Sequence, residues 1–241
     1  MEKIEQFMNL KNIKIFQDEK KFKFNLDSIL LAKFVCTHYK RGKIIDLATG
    51  TLPIPLYLNF YLKQKIWAVE LQKDICELGN KTIEINHLED FIFLNQADIK
   101  NIKNDYELHS FDVVVCNPPY FNLFNSKKVS NEESKVLARH NLTLKIEDVL
   151  CAARFLLKNQ GKLFLIYRTE NIQPLLSLLH DYNLEPKVIR FIHSRVEEKS
   201  KLFLIEARLN GKIGCIIENP LIVYKNKMEY TEEILEIFGG V

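Results

Sequence analysis

Glycine and proline are scarce in this chain, eight and seven in 241 residues, and that scarcity excludes the collagen-like and low-complexity disordered classes. The 47% of hydrophobic and 27% of charged residues fit a globular protein with enough apolar mass for a sizeable core. No basic-then-apolar leader opens the chain, and no apolar run approaches the ~20 residues that a bilayer span needs. The cysteines Cys36, Cys76, Cys116, Cys151 and Cys215 are odd in number and scattered, without a C-x-x-C pair for zinc or redox work. Buried free thiols in a reducing cytoplasm are the expectation. His38, His87, His109, His180 and His193 show no metal-ligand spacing, so no metal is expected.

Net charge is also small. At +3 the global field is weak, and a nucleic-acid partner would have to meet a local basic face. Of 34 basic residues only 7 are arginine, which makes each arginine individually informative. The length suits one α/β domain, or a domain with a small appendage, better than two equal domains. The expected division is an N-terminal arm and helix over residues 1–40 and a main domain over 41–241.

What is present is a repeating alternation of apolar strands and amphipathic helices. Lys43 to Leu47 and Ile66 to Glu70 read as buried parallel strands. Between them Pro53 to Gln64 reads as a helix whose early prolines sit where N–H groups lack a helical partner. A helix from Lys73 to Asn86, a strand from Phe91 to Gln96 and an apolar strand from Phe111 to Cys116 follow. After a long polar gap, Ile146 to Leu157 reads as a helix that ends at Gln160-Gly161, before a strand from Lys162 to Tyr167. Lys187 to His193 and Leu202 to Leu209 read as an antiparallel hairpin. The fold class expected is α/β: a doubly wound, mostly parallel seven-stranded sheet closed by an antiparallel C-terminal hairpin.

Such sheets bind ligands beyond the carboxyl ends of their strands. There the first strand runs through Asp46-Leu47-Ala48-Thr49-Gly50-Thr51 into a helix, a place suited to a nucleotide-like cofactor. Glu70 ends the second strand, 20 residues after Gly50, where an acid can accept both ribose hydroxyls. Asp98 follows the third strand, where a carboxylate can accept from an adenine amino group. Each has a plainer reading: Asp46 as a turn cap, Glu70 as a solvated strand end, Asp98 as the cap of a short helix. Ala48 and Leu52 stand where glycines would let a ligand approach the backbone. That gap counts against a dinucleotide, whose pyrophosphate needs the glycines, and is tolerable for S-adenosylmethionine, which has none.

Asn117-Pro118-Pro119-Tyr120 after the fourth strand is the most specific feature. The prolines fix the backbone where it leaves the sheet. The Asn117 side-chain oxygen and the Pro118 carbonyl can then accept the two N–H bonds of an amine and aim its lone pair at a methyl donor. Tyr120 can stack on a base, a contact worth ~1–3 kcal/mol. The plainer reading is a Pro-Pro strand terminator followed by a core aromatic. Phe121 to Asn141 is a long polar stretch with Lys127, Lys128, Lys135, Arg139 and His140, either a functional lid that grips phosphates or a solvated loop.

With these residues in view, the chain resembles the bacterial tRNA(Val) adenine-N6 methyltransferases. The resemblance spans nearly the whole length. It rests on Asn117 to Phe121, Phe24-Asn25-Leu26-Asp27-Ser28-Ile29-Leu30-Leu31, Ala68-Val69-Glu70-Leu71-Gln72 and Ala138-Arg139-His140. Phe191 to Ser194, Glu206-Ala207-Arg208 and Pro220 to Tyr224 complete it. It implies a class I methyltransferase fold over 41–241, with S-adenosyl-L-methionine held by Asp46, Gly50, Glu70 and Asp98. It further implies that Asn117, Pro118 and Tyr120 hold the target amine, and it includes Phe121, Arg139 and His140, which with Lys127 and Lys128 of the same polar stretch are the expected substrate contacts. That substrate would be tRNA, methylated at N6 of the adenosine 3′-adjacent to the anticodon. Apart from the resemblance, the basic N-terminal arm with Lys11, Lys14, Lys20, Lys21 and Lys23 is expected to grip phosphates as well. Two alternatives stay open: a protein glutamine-N5 methyltransferase, which shares the N-P-P-Y motif, and an RNA-binding module that has lost its cofactor.

Overall fold

A computed structural model of the chain describes residues 2–10, 12–18, 26–119, 144–226 and 229–239. The chain opens with β1 (Glu2–Gln6) and β2 (Lys14–Asp18), which pair as an antiparallel hairpin, and α1 (Leu26–His38). The alternating units follow: β3 (Ile44–Leu47), α2 (Pro53–Leu62), β4 (Ile66–Glu70), α3 (Lys73–Ile85), β5 (Ile92–Gln96) and β6 (Phe111–Cys116). Beyond them come α4 (Ile146–Leu156), β7 (Leu157–Arg168), α5 (Ile172–Asp181), β8 (Leu184–His193) and β9 (Leu202–Leu209). Short β10 (Ile216–Ile217), β11 (Leu221–Ile222) and α6 (Glu232–Ile237) complete the order.

The long strands line up as β8-β9-β7-β6-β3-β4-β5. Strands β5, β4, β3, β6 and β7 are parallel, and β9 runs antiparallel between β7 and β8. The seven expected strands are therefore present with the expected C-terminal hairpin. Short β10 and β11 both pair with β8, so the sheet counts nine strands among the described residues. Most element ends fall within two residues of the sequence reading, but β7 starts five residues early. The turn expected at Gln160-Gly161 is a bulge inside that strand: pairing jumps from Phe111 opposite Leu157 to Val113 opposite Lys162, and Gln160 takes a φ of 65°.

Period-2 alternation sorts the strand side chains between two cores. Ile44, Ile66, Ala68, Val113 and Val115 face α1 and α2, whereas Ile45, Leu47, Val69, Val114 and Cys116 face α4 and α5. The N-terminal hairpin, which the sequence reading left as an arm, joins the first core through Phe7, Leu10 and Ile15. It docks on α3, where the Phe16 N–H donates to Thr82 Oγ1 at 3.0 Å and the Lys14 N–H to Asn86 Oδ1 at 2.8 Å.

Cys36, Cys76 and Cys116 are buried free thiols as expected, but Cys151 and Cys215 are exposed. On α4 the core takes Val149, Leu150, Ala152 and Ala153 and leaves Cys151 on the outer face, while Cys215 precedes the edge strand β10. Among the described residues, no helix is long and apolar enough to cross a membrane.

Candidate active site

Strand order reverses at β3, which lies between β4 and β6 with Leu47 opposite both Val69 and Cys116. The carboxyl ends of these three strands are therefore neighbours, and they carry Asp46, Glu70 and Asn117. A crevice at such a switch point is where doubly wound sheets take ligands.

The turn after β3 alternates into the left-handed region at every second residue: Ala48 at φ 55°, Gly50 at 60° and Leu52 at 73°. A left-handed conformation costs a residue with a side chain about 1–2 kcal/mol. Ala48 and Leu52 thus adopt the backbone that glycine would adopt freely. For Leu52 burial offsets the strain: it is fully buried, and Gly79 on α3 leaves it room, since a Cβ there would stand 3.3 Å from Leu52 Cδ1. The two non-glycine residues of the incomplete signature thus hold left-handed backbone despite their side chains. At Gly50, apart from its chain neighbours, no atom of the described residues lies within 4 Å of where a Cβ would stand, so the turn has open space there among them.

Glu70 is not the solvated strand end of the plainer reading. It is buried, and its Oε2 accepts the Gly50 N–H at 3.0 Å while Oε1 accepts the N–H groups of Leu71 (2.9 Å) and Gln72 (3.0 Å). A carboxylate has about four acceptor positions, so these bonds leave room for one more donor. Glu70 therefore ties the first turn to the second before any ligand arrives.

Asp46 is fully buried, and neither carboxylate oxygen has a hydrogen-bond partner among the described residues. Burial pushes its carboxyl up to about 8, with the Glu70 carboxylate adding to the rise. The Thr49 hydroxyl opposes the rise by more than Glu70 adds to it, although the two side chains stand outside hydrogen-bond geometry. An unpaired buried carboxylate costs free energy unless it is protonated or meets a donor. Protonated, it offers a bound molecule one O–H donor and one acceptor oxygen, and ionised beside a donor it accepts at both. Beneath it, the Cys116 thiol is raised well above its ordinary value by burial, then by Asp46 and Glu70.

Asp98 caps a short 3₁₀ turn, with Oδ1 accepting the Lys100 N–H at 2.9 Å. That matches the plainer reading of the residue and still places it just past β5, beside β4.

Asn117 and buried Pro118 follow β6 directly. The Asn117 amide Nδ2 donates to Ser28 Oγ on α1 at 3.0 Å, which leaves Oδ1 as the outward acceptor. Ser28 lies within the Phe24 to Leu31 stretch, but nothing in its local sequence points to a contact 89 residues away. Tyr120, Phe121, Lys127, Lys128, Lys135, Arg139 and His140 lie outside the described residues, as do Lys11, Lys20, Lys21 and Lys23. Lys14 sits on β2, away from this crevice. Among the described residues, no group of three or more His, Cys, Asp or Glu side chains is placed to hold a metal.

Comparison with known proteins agrees with this geometry. The model of the family described as "Methyltransferase small domain" matches residues 21–182. A protein of Flavobacterium psychrophilum named tRNA1(Val) (adenine(37)-N6)-methyltransferase is 25% identical over 234 residues, covering 96% of this chain and 97% of its own. Among solved structures, a predicted O-methyltransferase from Agrobacterium tumefaciens superposes with a TM-score of 0.71 at 20% identity, covering 89% of this chain and 96% of that one. The geranyl diphosphate C-methyltransferase of Streptomyces coelicolor, solved with S-adenosyl-L-homocysteine, has a TM-score of 0.54 at 12% identity, covering 75% and 77% of the two chains. At these identities the structures establish the fold, which is shared across several methyl-transfer chemistries.

Proposed function

The chain belongs to the methyltransferase small-domain family, and from that membership we propose that it transfers a methyl group from S-adenosylmethionine to N6 of the adenosine 3′-adjacent to the anticodon of tRNA(Val), in the cytoplasm. The observation that carries the reading is the outward Oδ1 of Asn117, anchored through Ser28 at the switch point beside Asp46 and Glu70. The name borne by the Flavobacterium psychrophilum relative, matched over 97% of its length, supports the tRNA substrate over a protein glutamine acceptor.

The first crevice residues suit the cofactor. Among the described residues, Asp46 has two buried oxygens without partners, Glu70 has an unfilled acceptor position, and Gly50 faces open space. The left-handed turn, with Glu70 tied to Gly50 and Asp46 beside it, argues against a module that has lost its cofactor. When bound, the cofactor supplies an electrophilic methyl group on a sulfonium.

The residues of this chain orient the acceptor. An aromatic amine delocalises its lone pair into the ring and is a poor nucleophile in that state. With its two N–H bonds accepted by Asn117 Oδ1 and the Pro118 carbonyl, the lone pair turns out of the ring plane, and no strong base is required. Restricting the amine to that geometry provides much of the acceleration. Tyr120 stacks on the flipped adenine, while Lys127, Lys128 and Arg139 grip flanking phosphates. Transfer of label from S-adenosylmethionine to tRNA(Val), followed by nucleoside analysis, tests the proposal.

A further inference from the structure

An asparagine amide carries one acceptor oxygen and two donor hydrogens in a plane. To accept from a substrate amine it must present the oxygen. Turned by half a revolution, it presents N–H to N–H and the contact becomes repulsive. The terminal torsion of asparagine is broad and roughly two-fold, so rotamer preference alone does not choose between these states. A neighbour that accepts from Nδ2 selects the oxygen-out state, and a hydroxyl does so when its own proton is directed to another acceptor, since it could otherwise donate to Oδ1.

Asn117 follows the parallel strand β6, and pleat alternation places it on the side of Val113 and Val115, facing α1. There its Nδ2 meets Ser28 Oγ at 3.0 Å. Ser28 is 7% exposed and sits in the first turn of α1, next to the fully packed Ile29, Leu30 and Leu31. The hydroxyl is therefore carried on a helix that cannot shift without opening the core. A reactive group held by a rigid element through a buried hydrogen bond keeps its orientation between turnovers.

We infer that Ser28 is a positioning residue for methyl transfer, holding the Asn117 amide so that Oδ1 faces the substrate amine. The inference rests on the amino-methyltransferase reading above. It assigns Ser28 no contact with substrate or cofactor, so its effect falls on the chemical step and not on binding. It also gives α1 a role in the site, although this helix precedes the first strand of the main sheet.

The test compares the parent with Ser28→Ala, Ser28→Thr and Asn117→Ala, using S-adenosylhomocysteine titration, turnover on unmodified tRNA(Val) and the side-chain amide resonances of the ¹⁵N-labelled protein. The Asn117 amide pair is the one missing from Asn117→Ala. Ser28→Ala is expected to displace that pair and to lower kcat about tenfold, with cofactor affinity and the KM for tRNA within about twofold of the parent. Ser28→Thr, which keeps the hydroxyl, restores both readouts. Parent-like kcat in Ser28→Ala, or an unmoved amide pair, overturns the inference. A parent inactive on tRNA whose amide pair still moves in Ser28→Ala would instead sink the substrate reading and leave the anchor standing.

Discussion

The backbone N–H of Gly50 donates to Glu70 Oε2 at 3.0 Å, so the turn after the first parallel strand is held by the residue that ends its neighbour. Two further backbone donors, from Leu71 and Gln72, close on Oε1. Glu70→Gln sets an amide N–H₂ group against at least one of these donors. A hydrogen bond to a charged group contributes about 1.5–3 kcal/mol, so urea denaturation should report a loss of that order. S-adenosylhomocysteine affinity should fall about tenfold or more in the folded variant. Unchanged stability and unchanged affinity would remove Glu70 from both roles.

Ala48 and Leu52 share a left-handed backbone but differ in what their side chains do. Ala48→Gly removes strain of about 1–2 kcal/mol at some cost in unfolded-chain entropy, so a net gain of up to about 1 kcal/mol is expected. Leu52→Gly also relieves strain but empties a fully buried site, and truncating a buried leucine costs about 2–5 kcal/mol. Burial wins, and this variant should be destabilised. Thermal melts of the two variants should therefore move in opposite directions.

Asp46 ties stability to pH. Its carboxyl moves from an ordinary 3.8 to about 8 on folding, so between those values the folded protein keeps a proton that the unfolded chain has lost. Stability from this group is full at low pH, declines as pH rises through that window, and is level above it. Asp46→Asn removes the dependence. Between about pH 5 and about pH 8 the parent should lose more than about 1 kcal/mol relative to the variant, read by urea denaturation. Parallel stability profiles would show that Asp46 is not buried in its protonated form.

Asn117→Ala should leave S-adenosylhomocysteine binding close to that of the parent, because Asn117 is assigned to the acceptor amine. Removing one preorganised polar contact at a reacting centre costs about 10²–10³ in rate. Turnover within a few-fold of the parent would refute amine alignment by this residue.

The sheet was legible because its strands are short apolar runs between amphipathic helices, as in Phe111 to Cys116 and the long helix from Lys73. The N-terminal hairpin was not. Its strands Glu2–Gln6 and Lys14–Asp18 are rich in charge and become strands only by docking Phe7, Leu10 and Ile15 into the core of a domain that begins later in the chain. Asp46, Glu70 and Asn117 were marked as candidates by their positions at the ends of the first, second and fourth parallel strands, which the sheet order brings side by side. Their partners were not, because the Gly50–Glu70 and Ser28–Asn117 bonds join residues 20 and 89 apart, and no local pattern records such contacts. Asp98 carried two compatible readings in sequence, and the cap on Lys100 is the one its Oδ1 satisfies.

The most direct test of the account is to incubate the protein with methyl-labelled S-adenosylmethionine and unmodified tRNA(Val), digest the RNA and separate the nucleosides. Label in N6-methyladenosine, mapped to the adenosine 3′-adjacent to the anticodon, is the predicted result. Label in a protein acceptor, with the tRNA unmodified and cofactor bound, would contradict it.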